Sequence, residues 1–130
     1  MNPPSPNKQA LGQLGENLAR DYFLKNKYEL LESNFRKKSF EIDHIVKKNK
    51  TIYFVEVKLR TSKQYGSAAM ALSRSKIQKL AKGVLSFLQK NALFQKFEIK
   101  MILLAIDFNK EHKNYQYEWI EFPLDLAHYY

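Results

Sequence analysis

Two apolar stretches carry charge where a core strand has no use for it. "FEIDHIVK" (40–47) contains Glu41 and Asp43, and "TIYFVEVKLR" (51–60) contains Glu56 and Lys58. Side chains alternate along a strand, so Phe54, Glu56 and Lys58 share one face, and Glu41, Asp43 and Ile45 share one face of the preceding strand. The polar segment "KNKT" (48–51) joins the two stretches as a hairpin. With an even loop, Asp43 falls on the face of Glu56. A turn at 48–49 sets Asp43 opposite Phe54 and Glu41 opposite Glu56. A turn at 49–50 sets Asp43 opposite Glu56 and Glu41 opposite Lys58. An odd loop without a bulge would separate them. Like charges opposed across a sheet are destabilising, and burial raises the cost unless a cation is bound. Mg²⁺ answers that need, since it takes carboxylate, carbonyl and water oxygens and commonly only one or two carboxylates. Asp43 and Glu56 are the expected metal ligands, with the Val57 carbonyl as a third. Lys58 would orient water, offset phosphoryl charge or act as a base. The competing reading is a surface hairpin whose acids pair with lysines, which the apolar run Ile52–Val55 opposes.

The surrounding pattern supplies a frame. Residues 8–26 read as a helix with Leu11, Leu14, Leu18 and Tyr22 at helical spacing, and Gly12 and Gly15 suit a close approach to another backbone. Strands are expected at 28–36, 40–47 and 51–60. A loop of small residues spans 62–73. Ser73 is placed to cap a helix over 74–91, with a stripe of Ile77, Leu80, Ala81, Val84, Leu85 and Leu88. Strands follow at 97–107, apolar enough in its second half for a central position, and at 115–122. The result is an α/β fold, a mixed central sheet flanked by helices. Tyr115, Tyr117 and Trp119 share a strand face, for which core packing is the simpler reading and base stacking the other. Nucleotide-binding glycine patterns are absent.

The 130 residues suit one domain, expected over 10–130 behind a flexible arm at 1–9. Without cysteine, disulfides, thiolate metal sites and cysteine nucleophiles are excluded. The start "MNPPSPNKQA" has no apolar signal region, and no run is long enough for a membrane span. A cytoplasmic protein without a membrane partner is therefore expected. The net charge is +9 and favours a polyanionic partner. Residues 74–100 hold seven bases against Glu98 alone, whereas 101–130 hold five acids and two bases. Lys76, Lys79 and Lys82 recur along the second helix, flanked by Arg60, Lys63 and Arg74. These six are the expected nucleic-acid contacts, with Lys76 foremost; the alternative is a solvated helix face.

Asp43 followed by Glu56-Val57-Lys58 at the end of an apolar strand resembles the PD-(D/E)xK nuclease motif. More widely, "GQLGENLA" (12–19), "NFR" (34–36), "EIDHI" (41–45), "FVEVKLR" (54–60), "YG" (65–66) and Lys76 resemble the YraN family, small bacterial proteins similar to Holliday-junction resolvases. The resemblance implies a restriction-endonuclease-like core. It implies that Glu16 joins Asp43, Glu56 and Lys58 in the catalytic site, and it includes Glu41 without a defined role. Two positions depart from the family pattern: Phe40 stands where glycine is usual, and His44 where an apolar residue is usual. By alternation His44 points away from Asp43, as a packed or hydrogen-bonded histidine rather than a ligand.

The combined expectation is a Mg²⁺- or Mn²⁺-dependent endonuclease acting on DNA phosphodiesters at branched or structured sites. A homodimer is expected of an enzyme that resolves junctions. The alternative is a nucleic-acid-binding module of the same fold without catalysis. A scaffold whose acidic hairpin meets a basic partner fits the net charge least.

Overall fold

A computed structural model describes residues 8–60 and 72–123. The elements follow the order α1 (Lys8–Lys25), β1 (Glu29–Lys37), β2 (Phe40–Lys48), β3 (Thr51–Arg60), α2 (Arg74–Lys90), β4 (Glu98–Asn109) and β5 (Asn114–Phe122), with a 3-10 turn Ala92–Lys96 after α2. Lys8 and Gln9, assigned above to an arm, already belong to α1. The loop with Lys63, Tyr65 and Gly66 falls outside the described residues.

The five strands form one sheet in the order β1-β2-β3-β4-β5. β3 and β4 run parallel, and the other neighbours antiparallel. This mixed sheet with two helices is the expected α/β architecture, consistent with a restriction-endonuclease-like core. The parallel pair requires a crossover, and α2 provides it. Ser73 caps α2, its hydroxyl accepting the Lys76 N–H at 3.1 Å. β4 is buried from Met101 to Asp107, as a central strand must be. That segment is core.

The helices cover opposite faces. α2 packs Leu80, Val84 and Phe87 on Ile42, Ile52, Phe54 and Met101. α1 packs Ala19 and Phe23 on Val46, Val55, Ile102 and Leu104. Trp119 joins the α1 side, stacked on Tyr28 at 5.0 Å and Tyr22 at 5.7 Å, and Tyr117 stacks on Tyr22 at 5.1 Å. Packing is therefore what the alternating aromatics of β5 do.

Two helix faces differ from the expected stripes. In α1 the buried line is Gly15, Ala19 and Phe23, while Leu14 is exposed. Small residues let that face approach β3: a Cβ on Gly15 would stand 3.5 Å from the Leu59 Cβ, whereas one on Gly12 would meet nothing. In α2, Gly83 and Phe87 are buried. A Cβ on Gly83 would lie 2.6 Å from Ile42 Cδ1 and 3.1 Å from Phe40 Cδ2, so this glycine seats the helix against β2.

Candidate active site

The hairpin loop is Asn49-Lys50, because Lys48 pairs with Thr51 and His44 with Val55. Asn49 supplies the left-handed backbone the turn needs, at φ 56°. This is the second of the two expected registers, and it carries Asp43 opposite Glu56. The β2–β3 ladder stops at His44. Beyond it, Asp43 Oδ2 accepts the Val57 N–H at 2.8 Å, so a carboxylate takes an amide that a continued ladder would give to backbone. The Val57 carbonyl lies on the same edge of β3 as its N–H, facing that gap.

Simple alternation fails at this point. Ile42 and Ile45 both pack on the α2 side, whereas His44 meets Phe23 on the α1 side. The β1–β2 ladder also passes over Asp43 and the residue across from it, Asn34, whose φ is 54°. Glu41, Asp43 and Ile45 therefore do not form one regular face. Asp43 reaches Glu56 because the strands open there. Register arithmetic finds the right neighbour through an incomplete geometry.

Both carboxylates are largely enclosed, the Glu56 side chain being 12% exposed. Burial, reinforced by the Asp43 charge, raises its pKa from 4.5 to about 7. Burial also raises the Asp43 pKa, partly offset by the bond from the Val57 N–H. The cation beside them is Lys76, whose Nζ lies 3.0 Å from Glu56 Oε1. Burial opposes its charge, but the Glu56, Asp43 and Glu41 carboxylates outweigh it and raise its pKa. Glu56 Oε2 is buried and has no hydrogen-bond partner. A buried acceptor without a partner is uncommon and costly.

The other expected residues are distributed around this pair. Lys58 is exposed and makes no hydrogen bond or ion pair among the described residues. Glu16 is half-buried and lines, with Asp43 and Val57, a cleft of about 310 Å³ between α1 and the sheet. Its charge acts on His44. Glu41 is exposed at the mouth of that cleft and acts electrostatically on Asp43. Among the described residues no three His, Asp or Glu side chains are grouped to hold a metal. The oxygens that could hold a cation here are those of Asp43 and Glu56, with the Val57 carbonyl facing the same gap. Mg²⁺ commonly accepts so few protein ligands, and the unpartnered Glu56 oxygen fits the need for a cation.

His44 is fully buried, as a packed histidine. Its Nδ1 lies 2.9 Å from Ser33 Oγ, and burial lowers its pKa to about 4. Arg60, expected to bind nucleic acid, is held by Asp107 through Nε–Oδ1 at 2.7 Å and Nη2–Oδ2 at 2.6 Å. Glu98 sits at the far end of β4, bound by Thr51 and Lys100. Arg74, Lys79 and Lys82 are exposed on α2. The Lys76–Glu56 contact was missed because the two lie on separate elements; the only signal was Lys76 itself at the start of a capped helix.

Comparison with known families gives one match that covers most of the chain. Residues 15–107 match the uncharacterised protein family UPF0102. The chain belongs to this family. The YraN resemblance read from the sequence is thereby borne out. A UPF0102 protein of Trichlorobacter lovleyi is 40% identical over 100 residues, covering 74% of this chain and 79% of the relative. One from Geobacter metallireducens is 42% identical over 86 residues, covering 66% and 70%. One from Clostridium botulinum is 35% identical over 111 residues, covering 85% and 90%. The matched region of this UPF0102 member contains Glu16, Asp43, Glu56, Lys58 and Lys76, and it ends at Asp107, the partner of Arg60.

Proposed function

We propose that this UPF0102 protein is a metal-dependent endonuclease that hydrolyses DNA phosphodiester bonds at branched or structured sites. The observation that carries the reading is the buried, unpartnered Glu56 Oε2 beside a second carboxylate, Asp43, in a gap between strands. Asp43, Glu56 and the Val57 carbonyl would hold Mg²⁺ or Mn²⁺. Such an ion supplies a water of lowered pKa and offsets charge on the phosphoryl oxygens. The chain's residues do the rest. The Val57 N–H fixes Asp43, so one carboxylate keeps its position as the substrate enters. Glu56, on the rigid central part of the sheet, presents its free oxygen to the cation. Lys58 lies one strand repeat further along and is exposed, placed to meet a phosphate oxygen or orient the attacking water. Glu16 borders the cleft on the α1 side and assists from there.

The test is cleavage of labelled four-way junction, flap, single-stranded and duplex DNA with Mg²⁺, Mn²⁺ or EDTA. The expected result is metal-dependent cutting that disappears in Glu56→Ala and in Lys58→Ala. Cutting that survives Glu56→Ala, or that proceeds in EDTA, sinks the reading. One observation favours a second reading, a nucleic-acid-binding module without catalysis. Lys76 already offers Glu56 a cation at 3.0 Å, so the hairpin can be held together without metal. Salt-sensitive binding without cutting in any of these conditions would select that reading.

A further inference from the structure

Another cleft shares Glu41 with the one that Asp43 lines. It has a volume of about 240 Å³ and is bounded by the β1–β2 turn and the start of α2. Lys37 and Lys38 come from the turn, and Lys76 and Lys79 from the helix, with the Ser73 and Ser75 side chains between them. Glu41 stands on the wall nearest Asp43. Lys76 is turned to Glu56, but Lys37, Lys38 and Lys79 form no ion pair among the described residues. The crowding of like charge continues past the cleft. The Lys37 ammonium lies against that of Lys90, which depresses its pKa, and Lys90 itself rests over the Phe35 ring at 5.7 Å. Neighbouring ammonium groups repel, and an anion placed between them relieves that repulsion.

We infer that this cleft is a second phosphate subsite, in which Lys37, Lys38 and Lys79 hold a backbone phosphate of the nucleic-acid strand whose neighbouring phosphodiester faces Asp43 and Glu56. The inference rests on the nucleic-acid half of the reading above and does not need catalysis. Two of its three lysines, Lys37 and Lys38, lie at the β1–β2 turn, away from the α2 row that the sequence points to and to which only Lys79 belongs. The geometry has a directional consequence. Glu41 separates the two positions, repelling a phosphate from the space between them, so the strand is registered with one phosphate on each side. Lysine is suited to this task as a point charge that follows a mobile backbone.

The test is the salt dependence of binding, measured by anisotropy of fluorescein-labelled duplex in EDTA so that no cutting occurs. Three proteins are compared: wild type, Lys37→Gln/Lys38→Gln, and Lys25→Gln/Lys50→Gln. The last makes the same charge change at exposed positions at the opposite end of the sheet. Each phosphate that is no longer neutralised flattens the plot of log affinity against log salt by about 0.9. The turn variant is expected to lose up to about 0.9 of slope, one phosphate's worth, and the control to lose none. Equal slopes for wild type and turn variant overturn the subsite while leaving the nuclease reading intact. Equal flattening in both variants also overturns it, since only net charge then matters. Failure of wild type to bind any nucleic acid removes both. Anionic phosphatidylserine vesicles form a further arm: a turn variant impaired there but unchanged on DNA assigns the surface to lipid and ends the proposal.

Discussion

The molecule contains two buried ionic arrangements on β3, four residues apart, and they differ in balance. Arg60 and Asp107 stand opposite each other on the parallel strands β3 and β4, with side chains 14% and 11% exposed, and meet through two parallel bonds. Two guanidinium N–H groups meet the two Asp107 oxygens in a fork that suits a carboxylate, and the exposed Glu118 adds a longer contact at 3.9 Å. At Glu56 the count is two carboxylates to one ammonium, and one buried oxygen has no partner. The first arrangement matches one guanidinium fork to one carboxylate within the sheet. The second is completed only by something added, whether a proton, Lys76 or a metal. Burial by itself therefore does not set Glu56 apart, and neither does an unpartnered atom alone, since His44 Nε2 is also buried without a partner; the second carboxylate beside it does.

Substitutions can break this contrast. The largest effect is expected from Arg60→Ala, which strands the Asp107 carboxylate and should cost about 3 kcal/mol in urea unfolding. A loss under about 1 kcal/mol would place the pair with ordinary surface bridges. Lys76→Met is expected to cost about 2 kcal/mol at pH 8.5 and little at pH 5. The sign follows from Glu56, whose folded pKa of about 7 exceeds its ordinary 4.5. Its contribution to stability is full below 4.5 and is lost as pH rises through 7. Only above that range does the missing ammonium matter. Equal costs at both pH values would show that Lys76 acts through packing alone. The smallest change is expected from Glu56→Gln, within about 1 kcal/mol of wild type at pH 7, with the loss of stability above pH 7 abolished. His44 titrates in the opposite sense, losing stability as pH falls from 6.5 towards 4, so variants are compared at one pH.

Much of this architecture was legible because it is local. The hairpin turn, the Ser73 cap and the apolar run of β4 follow from alternation, capping chemistry and strand composition. The Asp43–Glu56 neighbourhood followed from register arithmetic across a two-residue loop. What escaped is set by contacts between elements. Leucine spacing marks α1 as a helix without giving its inner face: Leu14 is exposed, and the buried line is Gly15, Ala19 and Phe23, with Gly15 making the close approach to β3 that its size suits. The Asn34–Asp43 opening breaks the period of two, which no periodic pattern can anticipate. Lys76 on Glu56 and Arg60 on Asp107 depend on how the crossover helix and the parallel strand settle, and their spacing along the chain carries no such signal.

Gly83 has a consequence at a distance. It lets α2 sit against Ile42 and Phe40, and Lys76 lies seven residues, or two helical turns, towards the N-terminus of the same rigid rod. Any side chain at 83 acts as a shim under that rod. Raising it would tilt the end that carries Lys76, and with it one wall of the lysine cleft, while leaving Asp43 and Glu56 on the sheet. The spacing between the acidic and basic halves of the site is thus governed by the thickness of one residue that touches neither.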